Sequence, residues 1–192
     1  MRHQLLVPQD VCLQVIDVQE KLMAKIHHAE RVTATVELMM RCAAILRLPV
    51  VANTQYSKGL GPYVAPLEAL AEGMARFDKT EFNALANKAT ATFFDALPTT
   101  VKVVALVGVE THICVYQTAM ALLARGLRVW VVSDGVSARR ENDHLAGLSC
   151  LAAAGAIVGP AEMLVYELLG KAGTPEFKEI LPLIVARDQI LG

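Results

Sequence analysis

Residues 101–124 read VKVVALVGVETHICVYQTAMALLA, and the hydrophobic period of this stretch changes in its middle. The run up to Val109 is almost entirely β-branched or apolar, which is typical of a buried parallel strand. From Thr111 onward the apolar residues recur at helical spacing. Cys114 is therefore predicted in the first turn of a helix, just past the end of a central strand, where open α/β sheets bind ligands. This position makes Cys114 a candidate nucleophile; the alternative is a small buried hydrophobic residue.

The rest of the chain repeats this alternation of strands and helices. Apolar β-branched runs predict strands at residues 11–18, 49–53, 127–133 and 156–158. Helical spacing predicts helices at residues 30–46, 65–75, 90–97, 141–154 and 161–169. Residues 76–82 are predicted as a short charged segment, and residues 134–140 as a turn. Such alternation implies right-handed crossovers, so we predict one three-layer α/β/α domain over residues 1–192, Rossmann-like, with a mostly parallel sheet.

The tail, residues 174–192, is predicted as a C-terminal appendage to this domain. It begins with a helix-capping threonine and carries several apolar residues, but Pro182 is expected to interrupt or kink any helix there. Two placements are open at this stage. The tail would pack either on a neighbouring subunit or over its own sheet.

Composition limits the classes of function. The chain has 192 residues, 54% of them hydrophobic, with a mean hydropathy of +0.41 and a net charge of −1. No apolar run reaches the roughly 18 residues of a membrane span, and the first residues lack a secretory core. We therefore expect a cytoplasmic protein, with a mitochondrial location left open, that binds neither membranes nor nucleic acid and forms homo-oligomers. Its four cysteines are far apart, which predicts reduced thiols.

Three residues form a candidate catalytic group: Asp17 after the first strand, Lys79 in the charged segment and Cys114. Adjacent strand ends of a parallel sheet open onto one edge, so the carboxylate and the thiol can meet there. An aspartate beside a thiol can accept its proton, and a lysine ammonium would lower the thiol pKa. Taken singly, Asp17 also fits a turn residue and Lys79 a surface lysine.

Several segments resemble the isochorismatase-like cysteine hydrolases, which include nicotinamidases, pyrazinamidases and carbamoylsarcosine amidases. The similar segments are VIDVQ (15–19), DKTEFNAL (78–85), GVETHICVYQTA (108–119), SDGVSAR (133–139) and AGAIV (154–158). The resemblance covers nearly the whole chain and implies a catalytic triad of Asp17, Lys79 and Cys114. It also implies a cis peptide bond between Val109 and Glu110, and an oxyanion hole formed by the N–H groups of Glu110 and Cys114.

One part of the family pattern is missing. Nicotinamidases carry an aspartate and two histidines after the second strand, and these bind a metal. The corresponding loop here, NTQYSKGLGP (53–62), has neither residue type. We therefore predict no metal and no cofactor, and nicotinamide becomes a doubtful substrate. His3, His27, His28 and His144 lack ligand spacing and are predicted in surface or capping roles. His112 need not face the pocket.

The loop QYSKGLG (55–61) and the segment TPEFKEI (174–180) look most like the isochorismatase-domain-containing branch of the family. Gln55, Tyr56, Glu110 and Thr111 are the candidate substrate contacts. A carboxylate at Glu110 would favour a cationic or hydrogen-bond-donating substrate, or else it caps the helix that starts at Thr111.

These observations predict a metal-independent cysteine hydrolase that cleaves the C–N bond of a small amide through a Cys114 thioester. The alternative is a catalytically silent oligomeric scaffold or interaction protein of the same fold. Isochorismate hydrolysis is less expected, because the enzymes that perform it lack the cysteine. A ribonuclease is also not expected, because we find neither metal ligands nor an acid–base histidine pair in the sequence.

Overall fold

Six parallel strands form one sheet in a computed structural model that describes residues 5–191; His3 and residue 192 lie outside the described part. The strands are β1 (Val11–Ile16), β2 (Val50–Gln55), β3 (Ala75–Lys79), β4 (Val103–Val109), β5 (Arg128–Ser137) and β6 (Ile157–Gly159). Their spatial order is β3-β2-β1-β4-β5-β6, and every pair is parallel. The chain therefore leaves β1 in one direction and returns on its other side with β4. Ligands of open α/β sheets bind in the crevice at such a switch point.

Helices cover both faces of the sheet, which confirms the predicted three-layer fold. They are α1 (Glu20–Met23), α2 (Ala29–Ile45), α3 (Ser57–Leu60), α4 (Ala65–Leu70), α5 (Lys88–Asp95), α6 (Tyr116–Ala124), α7 (Glu141–Ala153), α8 (Ala161–Leu169) and α9 (Pro175–Leu191). Buried residues of α2, α4, α8 and α9 pack on one face, and those of α5, α6 and α7 pack on the other. Within the described residues, no helix is both long and apolar enough to cross a membrane.

The central strand explains why the apolar runs in the sequence are nearly continuous. Along β1, Leu13 and Val15 join the core under α2, whereas Cys12 and Ile16 join the core under α6. All six residues of β1 are buried. A parallel strand covered on both faces therefore needs apolar side chains at successive positions rather than at alternate ones.

Gly108 brings β4 close to β1 at the switch point. Its φ is +114°, and a Cβ atom built on it would lie 1.9 Å from the carbonyl oxygen of Ile16. No side chain fits there, so the glycine before the candidate cis peptide is required by the sheet itself.

Two predicted boundaries on the sheet were wrong. Residues 75–79 form the edge strand β3 rather than the end of a helix and a charged segment. The strand was not recognised in the sequence because an edge strand exposes every second side chain to water and therefore carries polar residues. Strand β5 runs on to Ser137 through the predicted turn, and its register against β4 shifts between Leu106 and Gly108. An irregularity of this kind leaves no clear alternation in the sequence.

The tail packs on its own chain. Helix α9 continues through Pro182, so the expected interruption does not occur. Ile180 and Ile184 on either side of the proline are buried in the core that α2 also joins. Arg187 is buried and donates to Thr35 Oγ1 at 3.0 Å and to Asp134. These contacts hold the helix against α2 and β5.

Candidate active site

Asp17 is the first residue after β1, at the carboxyl end of the central strand. Its φ is +54°, and its backbone N–H donates to the carbonyl of Asn53 at 3.0 Å while its carbonyl accepts from Gln19 N at 2.8 Å. The side chain is fully buried. The sharp change of direction after Ile16 therefore places a carboxylate in the crevice instead of continuing the strand.

Lys79 reaches Asp17 from the last position of β3. Its Nζ donates to Asp17 Oδ2 at 2.7 Å and to Gln55 Oε1 at 2.6 Å, and neither side chain of the ion pair is exposed. In the sheet register, Lys79 lies opposite Gln55, the last residue of β2. The lysine side chain thus passes the end of β2 to meet the carboxylate that follows β1.

Gln55 is held in a hydrogen-bond network around Lys79. Its Nε2 donates to Thr80 O at 2.8 Å, and its backbone N–H donates to Gln19 Oε1 at 2.7 Å. Gln19 Nε2 in turn donates to the carbonyls of Gln55 and Gly61. Both ends of the Gln55 amide are therefore engaged with the protein. Gln19 was not identified from the sequence, where a glutamine after a strand gives no distinctive signal.

Cys114 lies in a π-helical turn, Thr111–Val115, which joins β4 to α6. Its thiol is buried beside Asp17 but does not reach full hydrogen-bond geometry with it, and Asp17 Oδ1 has no hydrogen-bond partner among the residues described. The structure therefore brings Asp17, Lys79 and Cys114 together. Cys12 and Cys42 are also buried, whereas Cys150 is exposed.

The resting thiol is not activated in the predicted manner. Burial, followed by the negative charge of Asp17, raises the pKa of Cys114 to about 12, and Lys79 only partly opposes this shift. Lys79 does lower the pKa of the thiol, as expected, but burial outweighs it, so the net pKa is raised rather than lowered. Burial also raises the pKa of the Asp17 carboxyl above its usual value, although the Lys79 ammonium opposes this shift. With both pKa values raised, the site favours a neutral thiol next to a carboxylate of increased basicity.

The peptide bond between Val109 and Glu110 is cis, as the resemblance implies. The Glu110 side chain is turned to Arg139: its Oε2 accepts from Arg139 N at 2.9 Å and from Arg139 Nε at 3.1 Å. It makes no capping hydrogen bond to the turn that follows, so the predicted cap was wrong. Since Arg139 neutralises this carboxylate, the argument for a cationic substrate also loses its basis.

Thr111, a predicted substrate contact, is bonded to α7 instead. Its Oγ1 lies 2.9 Å from His144 Nδ1, and both residues are buried. Gly147, one helical turn further on, packs tightly against Thr111 and His112, because a Cβ there would lie 3.0 Å from Thr111 Cγ2. The prediction of a surface or capping role for His144 was therefore wrong. A lone histidine in a helical sequence does not reveal such a partner.

Tyr56 is the candidate contact that remains exposed. It adopts φ +40° directly after β2, and its N–H donates to Lys79 O at 2.8 Å. The residue is 54% exposed, and Phe82, three residues after Lys79, is similarly exposed. Among residues 5–191, no three His, Cys, Asp or Glu side chains are placed to hold a metal ion.

Comparison with known proteins finds relatives that are similar to this chain in sequence or in structure over most of its length. The Isochorismatase domain family matches residues 11–163. Isochorismatase domain-containing protein 2 of Bos taurus is 38% identical over 93% of this chain and 84% of its own length. The structure of the MAR1 ribonuclease from Caenorhabditis elegans has a TM-score of 0.84 at 36% identity, covering 94% of this chain and 92% of that one. The YcaC product of Escherichia coli, an octameric hydrolase of unknown specificity, has a TM-score of 0.89 at 20% identity, covering 100% and 96%.

The parallel sheet, covered by helices on both faces, thus defines a three-layer α/β/α protein in which Asp17, Lys79 and Cys114 come together at the carboxyl edge. The chain belongs to the isochorismatase family.

Proposed function

We propose that this protein is a metal-independent cysteine hydrolase that cleaves the C–N bond of a small amide. The observation that carries the proposal is the arrangement of the Asp17 carboxylate. One oxygen is held by Lys79, the other has no partner at full hydrogen-bond geometry among the described residues, and the Cys114 thiol lies beside this carboxylate. A buried, unpaired carboxylate oxygen costs free energy. A fold that keeps one next to a thiol is suited to accept the thiol proton.

The first half of the reaction forms a thioester. Cys114 Sγ attacks the amide carbonyl carbon while its proton moves to Asp17 Oδ1. The carbonyl oxygen becomes an oxyanion, which the N–H groups of Glu110 and Cys114 would stabilise. When this intermediate collapses, the C–N bond breaks, and Asp17 gives the proton to the departing nitrogen.

The second half returns the enzyme to its starting state. Water attacks the thioester carbonyl carbon while Asp17 removes one of its protons, and the C–S bond breaks. The acid product leaves, and the Cys114 sulfur recovers the proton from Asp17. Lys79 keeps its hydrogen bond to Asp17 Oδ2 throughout, as an ion pair whenever the carboxyl is ionised, and Gln55 keeps the ammonium in place.

The raised pKa values fit this coupled proton transfer. A thiol whose pKa is about 12 is protonated at neutral pH, so it needs a base at the moment of attack. Burial makes Asp17 a stronger base than an exposed carboxylate. Activity then depends on the pair rather than on a preformed thiolate.

The test is ammonia release from a panel of small primary amides. We expect turnover by the wild type that chelators do not reduce and that Cys114→Ala abolishes. Cys42→Ala is the matched control, because Cys42 is also buried with a pKa raised to about 12 but belongs to α2. If Cys114→Ala retains wild-type turnover, the proposal fails.

Ribonuclease activity is the second candidate, because the C. elegans protein that bears that name is 36% identical. The same proteins should therefore be incubated with single-stranded RNA. Cleavage that Cys114→Ala leaves intact, in preparations without amide turnover, would favour this candidate over the amidase.

We also propose that the chain forms homo-oligomers. Met163, Tyr166, Val185 and Ile190 are large apolar residues exposed on α8 and α9, and the E. coli relative is octameric. Sedimentation gives the oligomeric state. An oligomer without amide turnover would support the catalytically silent scaffold, the alternative to an enzyme.

A further inference from the structure

A cavity of about 640 Å³ opens beside Glu110, at the carboxyl edge of the sheet. Its walls come from α1 and the turn after it, from α3 and from Arg139, which follows β5. This volume lies within the range of ligand pockets in proteins. Leu22 and Leu60 supply apolar surface on two of its sides.

The charged residues around this cavity are mostly cationic. Lys21, Lys25 and Arg139 line it, and Glu110 is the one carboxylate among its lining residues. Glu110 is already paired with Arg139, so two positive charges are left without a counter-ion in the lining. Glu20, the acid next to Lys21, has its carboxylate beside Gly61 and does not line the cavity.

The two lysines differ in how they are held. Lys21 Nζ donates to the neutral carbonyl of Gly59 at 2.7 Å, which ties α1 to α3 without compensating its charge. Lys25 is exposed and forms no salt bridge within residues 5–191. The Lys25 ammonium therefore has no counter-ion among these residues and is free to bind an anion. The Lys21 ammonium is held in a fixed position by its hydrogen bond to Gly59.

The cavity and the proposed reaction centre share one residue, Glu110, whose negative charge lies close enough to Cys114 to act on its thiol. The side chain of Glu110 lines the cavity, while its backbone N–H belongs to the proposed oxyanion hole. Helix α1 begins three residues after Asp17. A ligand anchored by an acidic group at the lysines thus extends from there toward Glu110 and the thiol.

We infer that this cavity binds the anionic end of the substrate, so that the hydrolase acts on amides that also carry a carboxylate. The inference rests on the proposed function and specifies its substrate class. Leu22 and Leu60 fit a short hydrocarbon body between the two ends. Monoamides of short dicarboxylic acids have this combination of groups.

Equilibrium binding tests the inference without requiring turnover. The probes are the monoamides of succinic, glutaric and adipic acids, each paired with the neutral amide of the same chain length, in calorimetric titrations of Cys114→Ser protein. We expect at least one acidic amide to bind about tenfold more tightly than its neutral partner, with a preference that added salt weakens.

Lys25→Gln removes one of the charges and should reduce binding of the acidic amide by about threefold to fivefold, since exposed charges act through water. Lys58→Gln is the matched control, because Lys58 is exposed on α3 but does not line the cavity. Equal binding of acidic and neutral amides, or equal effects of the two variants, overturns the inference.

The outcomes separate this inference from the proposed function. Lys25-dependent binding of acidic amides without turnover by the wild type contradicts the hydrolase but keeps the anion site. Turnover of neutral amides alone keeps the hydrolase and overturns the anion site. The last probe in the titrations is a short oligouridylate. If it binds more tightly than every acidic amide, and if Lys25→Gln weakens that binding, the cavity binds RNA phosphate and the inference is overturned.

Discussion

Two ion pairs with different arrangements occur in this molecule, one fully buried and one partly buried. Asp17 and Lys79 are fully buried at the carboxyl edge of the sheet, and Asp17 Oδ1 has no hydrogen-bond partner among residues 5–191. Asp134 and Arg187 join β5 to α9, and both oxygens of Asp134 are bonded: one accepts from Arg187 and the other from Ala161 N at 2.8 Å. Arg187 also donates to Thr35.

The comparison distinguishes an ion pair that supports the fold, Asp134–Arg187, from one that we propose takes part in catalysis, Asp17–Lys79. In the Asp134–Arg187 pair, the three hydrogen bonds tie different elements together: α8 and α9 to β5, and α9 to α2. In the Asp17–Lys79 pair, one carboxylate oxygen has no partner at full hydrogen-bond geometry among the described residues, and the Cys114 thiol lies beside the carboxylate. Unsatisfied buried polar atoms are uncommon in native proteins and occur often at functional sites.

The largest expected effect is on activity. Asp17→Asn should lower kcat/KM for an amide substrate by about 10² to 10⁴, the range that general acid–base groups contribute. The Asn side chain keeps the shape and a hydrogen bond to Lys79 but does not accept the thiol proton. Steady-state kinetics on folded protein, verified by circular dichroism, gives the value.

Asp134→Asn is the matched control for this prediction. The same change in the structural pair should leave kcat/KM within about threefold of the wild type, because it touches no reacting atom. Equal losses in the two variants would show that both pairs act only by supporting the fold.

The next effect is on stability. Arg187→Met should lower the free energy of unfolding by about 2 kcal/mol, less than the loss for a fully buried pair because Asp134 is 19% exposed. Activity per folded molecule should stay unchanged. Urea unfolding followed by tryptophan fluorescence measures the loss, and an unchanged midpoint would mean that α9 is not held by this pair.

The smallest expected effect concerns His144 and pH. Burial, with Arg31 and His27 nearby, lowers the pKa of His144, while Glu141 opposes this change. The unfolded chain therefore takes up a proton at higher pH than the folded chain does, so stability should fall as the pH drops below about 6.5.

His144→Leu should reduce that pH dependence and cost about 1 kcal/mol at neutral pH through the lost bond to Thr111. Thermal unfolding at about pH 7.5 and about pH 5.5 tests both points. His144→Asn, which retains a polar group near the position of Nδ1, is the control. A leucine variant with the same loss of stability on acidification as the wild type would contradict the assignment.

The sequence predicted most of the fold because the central strands are buried on both faces. A nearly continuous β-branched run such as residues 101–109 is compatible with few structures other than a buried strand. The change of hydrophobic period at Thr111 then located Cys114 at the start of a helix. The edge strand β3 was missed because its alternate side chains face water. The continuous helix through Pro182 was missed because tertiary packing of Ile180 and Ile184 overrides a local preference.

The candidate site was predicted in its members but not in its electrostatics. Asp17 and Cys114 follow the adjacent strands β1 and β4, so the topology alone brings them together, whereas Lys79 reaches them from the missed edge strand β3. The raised pKa of Cys114 depends on burial, and the pairing of Glu110 with Arg139 depends on the path of the chain after β5. Neither the pKa of Cys114 nor the pairing of Glu110 with Arg139 can be read from the spacing of residues in the sequence.

The most direct measurement is mass spectrometry of the Cys114 peptide after acid quenching of protein mixed with a hydrolysed amide. The account predicts an adduct on Cys114 with the mass of the amide minus ammonia in the wild type, and none in Asp17→Asn. Hydrolysis that proceeds at the wild-type rate in Cys114→Ala, with no adduct on Cys114 in the wild type, would contradict the account.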